Sequence, residues 1–334
     1  MIERKENYSF VNWLKVIAAI LITNSHFSSI WPNPQLATGG MLGNVLFMAV
    51  TGFLLFGANK KFPTWFGKRF LRVYPALLIF TLTAILFGKY QVGGFNDVVR
   101  LFVYPTNYVF IVWILICYAV FYLVDFINKK FKHGLEACFV ITILLWLTTY
   151  VVFVDKTVYS VDHAYEPFIL FLYFLSMMLG ALVKKYSTYL CKFRWYLIPV
   201  TIVLLAVYFA SKVFFSRTEN FLFLQILNQF SILLVLLSVL ILFLSLEKTF
   251  LRFNKGVTVT VKFLANLTLQ IYVVQFLIID ALDSLSFPIN LIATSVAILV
   301  ASIGLYYVEY FIKKGVGAII RKLKKDKNNA ESCN

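Results

Sequence analysis

Charged residues are scarce in this sequence. Only 14% of the 334 residues are Asp, Glu, Lys or Arg, whereas 61% are hydrophobic. That balance excludes an ordinary soluble globular protein, in which about a quarter of the residues are charged. Nucleotide-binding glycine loops and zinc-finger spacings are also missing, so the net charge of +16 does not indicate a nucleic-acid-binding protein.

Cysteine pairs and internal repeats are missing as well. The four cysteines, at positions 117, 138, 191 and 333, fall in apolar runs, a basic loop and the C-terminal tail. Their spacing predicts neither a disulfide framework nor a metal site. We find no repeat between the two halves of the chain, which argues modestly against the transporters that are built from inverted repeats.

Long apolar runs, in contrast, recur from one end of the chain to the other. They predict about ten membrane-spanning helices, with approximate bounds 10–31, 38–58, 72–89, 107–127, 135–154, 165–183, 195–212, 221–246, 258–281 and 288–312. We therefore expect an all-α, polytopic membrane helix bundle that occupies residues 1–334 as one domain. Gly52 and Gly57, in the second run, predict close packing of that helix against a neighbour.

Lysine and arginine are distributed unevenly between the two sides of the predicted bundle. Of the 31 Lys and Arg residues, 25 fall in the termini and in every second connection, and only five fall in the other connections. Since basic loops stay in the cytoplasm, we expect both termini to be cytoplasmic, with a basic tail at 313–334. The basic loops and the tail are expected to face solvent and anionic lipid.

The loops on the opposite side have a different composition. The segments 31–40, 88–107 and 153–165 combine aromatic residues with Asp, Asn and Gly. They predict either a rim for a polar, carbohydrate-like ligand or an ordinary belt of interfacial aromatic residues.

Two ionisable residues fall within the first predicted span. Lys15 and His26 are 11 residues apart, so on one helix they share a face and lie about 16 Å apart along its axis. Ionisable groups inside a membrane usually face the protein interior and have a function. The alternatives are a lysine that extends to the membrane surface and a histidine that only packs.

A second basic feature lies where the third predicted span begins. Arg69 and Arg72 are three residues apart and share a helix face. Two guanidinium groups on one face can hold a phosphate by bidentate hydrogen bonds, although anchoring at the cytoplasmic surface also explains them. Pro75 suits the first turn of this span.

The remaining polar residues within predicted spans point to an interior polar surface. The segment 264–275 contains a stripe formed by Asn266, Thr268, Gln270, Tyr272 and Gln275. Glu309, near the basic end of the last span, is expected to pair with a basic loop residue. Trp113 predicts either a pocket wall or core packing.

In order along the chain, these motifs resemble acyltransferase family 3. The family opens with a basic residue, ten residues and a histidine, as Lys15 and His26 do here, and it continues with Arg-x-x-Arg followed by Pro, as at Arg69 to Pro75. Weaker similarities are LFMAVTGFLLF at 46–56, Trp113-Ile-Leu, Thr268 to Gln275, and Tyr306 to Glu309. The chain departs from the pattern at Asn12, Lys15 and Gln275, where Asp, Arg and His are common.

The resemblance implies an integral-membrane O-acyltransferase of the plasma membrane. It would move an acyl group, acetyl or succinyl with acetyl favoured, from cytoplasmic acetyl-CoA or another acyl-CoA to a hydroxyl of an exported or cell-surface polysaccharide, without a metal. His26 would be the general base, and Lys15, Arg69 and Arg72 would bind the acyl-CoA. Supporting roles would fall to Asn12, Trp113, Tyr272, Gln275 and Glu309.

Two other interpretations of the same residues stay open at this point. One is a transporter or flippase for a glycan or a lipid-linked intermediate, which would use the polar spans without chemistry. The other is a non-catalytic membrane subunit in polysaccharide export. A homo-oligomer, or an association with the polysaccharide synthesis machinery, is compatible with each interpretation.

Overall fold

The computed structural model describes residues 8–105, 108–162 and 167–331, with side chains described as far as residue 315. The described chain is helical and contains no strand, which confirms the all-α expectation. The long helices are α1 Ser9–Ser25, α2 Gly40–Leu55, α3 Phe62–Leu86, α4 Val109–Lys130, α5 Gly134–Phe153, α6 Phe168–Lys185, α7 Leu197–Arg217, α8 Ile226–Ser245, α9 Lys255–Leu282 and α10 Ile289–Glu331.

Each predicted span corresponds to one of these helices. Within the described ranges, nine helices are long and apolar enough to cross a membrane. Helix α1, with 17 residues, rises only about 26 Å, which is slightly less than the apolar thickness of a bilayer. The expectation of a polytopic helix bundle is therefore confirmed.

Helix α1 ends six residues before the predicted end of the first span. The last helical residue is Ser25, and His26 is the C-cap rather than part of the helix. The cause is Asn24, whose side-chain amide donates to the carbonyl oxygens of Leu36 and Thr38 at 2.8 and 3.0 Å, while Trp31 Nε1 donates to Asn24 Oδ1. These hydrogen bonds fold the chain back over the end of α1.

Helix α3 begins ten residues before the predicted start of the third span. Its first turn starts at Phe62 and contains Pro63, so Pro75 lies inside the helix. Arg69 and Arg72 consequently project from the second and third turns of α3 instead of marking its entry. The expectation for Pro75 was wrong because the basic residues before it are helical rather than part of a loop.

The predicted tail continues the last helix. Backbone helix in α10 extends without a break through 313–331. Residues 332–334 of the tail, residues 106–107 and 163–165 of the predicted rim loops, and the basic residues Arg4 and Lys5 lie outside the described residues.

Helices α2 and α6 cross at the centre of the bundle with their backbones in contact. A Cβ atom on Gly52 would lie 1.8 Å from the carbonyl oxygen of Met177, and one on Gly180 would lie 1.8 Å from that of Ala49. Both glycines are therefore required by the close approach, which confirms the packing role predicted for Gly52. The same prediction was wrong for Gly57, which lies beyond the end of α2 with a φ of 82° and has no atom of the described residues within 4 Å of an added Cβ. The large apolar core surrounds this crossing.

Some basic loop residues have acidic partners. Lys129 forms an ion pair of 2.9 Å with Asp125, whose other oxygen accepts the backbone N–H of Gly57. Lys185 forms an ion pair of 2.8 Å with Glu136. These lysines contribute to the turns between helices, in addition to the solvent-facing role that we expected for the basic loops.

Helix α1 lies between α2 and α9. On the α2 side, a Cβ atom on Gly43 would lie 2.8 Å from the carbonyl oxygen of Ala18. At its beginning, the backbone N–H groups of Ser9 and Phe10 each donate to a different carboxylate oxygen of Glu247, both at 2.7 Å. The first helix is thus fixed along its side and at its start, which determines where Lys15 and His26 lie.

Candidate active site

A cavity of about 700 Å³ lies beside α1. Its walls come from α1, α2, α3, α4, α9 and α10, together with Lys60 in the connection between α2 and α3. One end of the cavity is cationic, and the other is lined by aromatic, apolar and hydroxyl-bearing side chains. We call these the basic end and the inner end.

The basic end collects cations that are far apart in the sequence. Its lysines and arginines are Lys15, Lys60, Lys68, Arg69, Arg72 and Lys313. Among the described residues that line the cavity, Glu309 is the one acidic side chain. Because Lys60, Lys68, Arg72 and Lys313 are exposed, this end can be reached from the protein surface. Such a concentration of positive charge favours an anionic ligand.

The two arginines of α3 sit on the wall of the basic end. Arg69 donates from Nη1 to the carbonyl oxygen of Trp65 at 3.0 Å, and its guanidinium lies 4.4 Å from the centre of the Trp65 ring. Arg69 and Arg72 line the cavity together with Tyr118 of α4. The indole orients the Arg69 guanidinium, so its remaining N–H groups are available for an anion.

Glu309 also lines the cavity, from α10, and has two partners. It forms an ion pair with Lys313, one turn further along α10, and it accepts a hydrogen bond of 2.7 Å from Gln270 Nε2 on α9. The ion pair therefore lies within one helix, whereas we had expected a partner in a basic loop. Glu309 is buried, while Lys313 is half exposed at the basic end.

The inner end is formed by Thr23, Tyr272 and neighbouring aromatic residues. Thr23 Oγ1 donates to Gln275 Oε1 at 3.0 Å, which ties α1 to α9. Gln275 is fully buried, and its Nε2 has no hydrogen-bond partner within the described part of the chain. The Tyr272 ring packs against Phe110 and Phe276 with centroid distances of 5.8 and 6.2 Å.

His26 lies just beyond the inner end. It is the C-cap of α1, three residues after Thr23, and it is partly exposed. Its ring packs edge-on against Phe276, with a centroid distance of 4.6 Å. The imidazole does not line the cavity, but Thr23 from its own chain segment and Phe276 from α9 connect it to the inner wall.

The other two predicted site residues lie away from the cavity lining. Trp113 packs against Tyr173, with a centroid distance of 5.6 Å, on the side of α4 that faces the core. Asn12 lies on α1, three residues before Lys15, and is partly exposed. The cavity thus brings together Lys15, Arg69, Arg72, Tyr272 and Glu309, with Gln275 directly behind Thr23.

Several residues of the cavity were missed by the sequence analysis as site residues. Lys60, Lys68 and Lys313 were assigned to basic loops or to the tail, and nothing in a single sequence distinguishes a ligand-facing lysine from a lipid-facing one. Nothing in the sequence indicated that Thr23 lines a cavity. Gln270, in contrast, belonged to the predicted polar stripe.

The described ranges contain no group of three or more His, Cys, Asp and Glu side chains that could hold a metal ion. The side chains that line the cavity offer cations, amides, hydroxyl groups and the carboxylate of Glu309, and His26 lies just beyond the inner end.

The helix bundle, with its membrane-spanning helices, defines an integral-membrane protein. The chain belongs to acyltransferase family 3, whose model, described as an acyltransferase domain, matches residues 8–310. It is thus a multi-pass membrane acyltransferase. No curated protein and no solved structure is significantly similar to it.

Proposed function

We propose that this acyltransferase moves an acetyl group from cytoplasmic acetyl-CoA to a hydroxyl of an exported or cell-surface polysaccharide, with His26 as the general base. The observation that carries the proposal is the polarity of the cavity. One end holds six cations, and the other end adjoins a histidine. The plasma membrane, with both termini in the cytoplasm, is the location that fits such a reaction.

The donor fits the cavity in one direction. The phosphates of a CoA thioester carry several negative charges, which would be held by Lys15, Arg69 and Arg72 at the basic end. The slender arm that carries the thioester is uncharged, so it can extend between the helices towards the inner end. From Lys15 to Thr23, α1 rises about 12 Å, which is a length that such an arm can cover.

The acceptor would approach from the side of His26. The imidazole takes the proton of a glycan hydroxyl while the hydroxyl oxygen attacks the thioester carbonyl carbon. The tetrahedral intermediate then collapses, the carbon–sulfur bond breaks, and the CoA sulfur receives the proton from the imidazolium. In this scheme the acyl carbon must pass Thr23 to meet the acceptor, and the partly exposed position of His26 leaves that side accessible.

The decisive variant is His26→Ala. We expect it to reduce transfer by about 10²–10⁴-fold, the usual contribution of general-base catalysis. The measurement is O-acetyl content of surface glycan in cells that make equal amounts of each variant. The matched control is His133→Ala, because His133 is an exposed residue in front of α5 and away from the cavity.

Undiminished acetylation in the His26 variant would contradict the proposed mechanism. Transfer that is equally low in both variants would indicate a general loss of folded protein rather than a loss of catalysis. A transporter without acyltransferase chemistry would be indicated if purified protein moved a glycan without CoA and was not stabilised by CoA against heat.

A further inference from the structure

Gln270 has an unusual environment on the wall of the cavity. It lies near the middle of α9, lines the cavity, and is only 4% exposed. Its Nε2 donates to Glu309, but its Oε1 is buried and has no hydrogen-bond partner within the described residues. A buried acceptor without a donor destabilises a protein, so its presence beside a cavity indicates a missing partner.

The orientation of this amide is determined by Glu309. The Glu309 carboxylate forms an ion pair with Lys313, and an ionised carboxylate can only accept hydrogen bonds. The amide nitrogen of Gln270 must therefore face Glu309. This leaves Gln270 Oε1 as the free atom, so the missing partner has to be a hydrogen-bond donor.

The level of Gln270 along α9 indicates which part of a ligand it meets. Gln275, which pairs with Thr23 at the inner end, follows five residues later, or about 7.5 Å along the axis. Asn266 lines the cavity one turn in the opposite direction, towards the basic end. Gln270 consequently lies between the cations and the inner end, beside the path of the donor's uncharged arm.

We propose that Gln270 Oε1 accepts a hydrogen bond from an amide N–H of the pantetheine arm of CoA, and that Glu309 is the positioning residue that holds the amide for this contact. The arm contains two amide groups, whose N–H groups need acceptors once they leave water. This inference rests on the proposed function, because it assumes that CoA is the donor.

The test compares two ligands on purified full-length protein by calorimetry. Adenosine 3′,5′-bisphosphate has a nucleotide and phosphates but no arm, whereas CoA has both parts. We expect Gln270→Met to weaken CoA binding about five- to tenfold and to leave bisphosphate binding unchanged. In turnover, KM for acetyl-CoA should rise by the same factor with kcat unchanged. The matched control is Gln91→Met, since Gln91 is an exposed glutamine outside the cavity lining.

The positioning role of Glu309 predicts coupling between the two residues. Glu309→Gln should weaken CoA binding in the natural background but have little further effect in the Gln270→Met background. A merely structural role of Glu309 would lower the affinity for both ligands to the same extent in both backgrounds.

A second measurement avoids variants that fail to fold. Wild-type protein is titrated with CoA analogues in which an arm amide is replaced by an ester, which removes one N–H. We expect one of the two analogues to bind about five- to tenfold more weakly than CoA. Equal affinity for CoA and both analogues would overturn the inference, because water would then satisfy Gln270.

The outcomes separate this inference from the proposed function. If Gln270→Met binds CoA as tightly as wild type, or loses affinity for both ligands equally, the arm contact is wrong and the proposed function is untouched. If wild-type protein binds neither ligand, the proposed donor and the contact with its arm are both overturned.

Discussion

The contact between α2 and α6 and the cavity beside α1 are built in opposite ways. On the packed side, α2 and α6 cross so closely that Gly52 and Gly180 touch the backbone of the partner helix. On the cavity side, α9 and α10 stand around a cavity and face each other through polar side chains, such as Gln270 and Glu309. The first side has no room for an added methyl group, and the second has room for a ligand.

Because of this difference, the bundle is rigid where α2 meets α6 and open around the cavity. Helix α1 is shared by the two sides, since Gly43 of α2 packs on Ala18 and Thr23 bonds to Gln275 of α9. The packed side holds α1 in place, so that the residues on its other side keep their positions around the cavity. Substitutions on the packed side should therefore alter stability, and substitutions on the cavity side should alter binding.

The largest effect is expected from Gly180→Leu on the packed side. Its side chain would be driven into the backbone at Ala49, which we expect to lower the free energy of unfolding by at least about 3 kcal/mol. Detergent-extracted protein should be scarce and aggregated in size-exclusion chromatography. The control is Gly304→Leu, because a Cβ atom on Gly304 of α10 meets open space. A normal yield of the Gly180 variant would refute the distinction between the two sides.

An intermediate effect is expected from Arg69→Ala combined with Arg72→Ala on the cavity side. Loss of two charge-assisted contacts should weaken CoA binding by at least about tenfold, with the protein still folded. The control replaces Arg100 and Arg217, which are exposed and do not line the cavity. Calorimetric titration measures the affinity, and a thermal melt without ligand reports the fold. Unchanged affinity in the Arg69/Arg72 variant would exclude these arginines as the donor anchor.

The smallest effect is expected from Thr23→Val, which tests the contact between α1 and α9. The variant removes the hydrogen bond to buried Gln275, so we expect about 1 kcal/mol less stability and a few-fold lower transfer rate. Thr23→Ser, which keeps the hydroxyl group, should restore both. A loss of stability as large as that of Gly180→Leu would mean that the inner end contributes as much to the free energy of unfolding as the contact between α2 and α6.

The number and type of helices could be predicted because span-length apolar runs are a strong local signal. The packing of Gly52 could also be predicted, because a glycine lets two helices approach closely. The same reasoning failed for Gly57, where an added Cβ atom would meet no atom of the described residues within 4 Å. The end of α1 could not be predicted, because it depends on hydrogen bonds from Asn24 to residues 12 and 14 positions further along the chain. The start of α3 was missed because a charged, amphipathic turn resembles a loop.

The candidate site was predictable only in part, for a similar reason. Arg69 and Arg72 share a helix face, which a sequence displays directly. The partnership of Gln270 with Glu309, in contrast, joins residues 39 positions apart on different helices. The additional cations Lys60, Lys68 and Lys313 resemble every other lysine near a membrane surface until the fold places them around one cavity.

The carboxylate of Glu247 has a consequence for how the proposed donor is held. A helix N-terminus carries a partial positive charge and can itself attract an anion, but at α1 the N–H groups of Ser9 and Phe10 are already taken by this carboxylate. The basic end itself is lined by six side-chain cations, and four of them, Lys60, Lys68, Arg72 and Lys313, are exposed to dissolved ions. Counterions screen exposed charges within about 10 Å at 0.1 M salt. Donor capture should therefore weaken as ionic strength rises, because most of the charges that attract the donor are in contact with solvent.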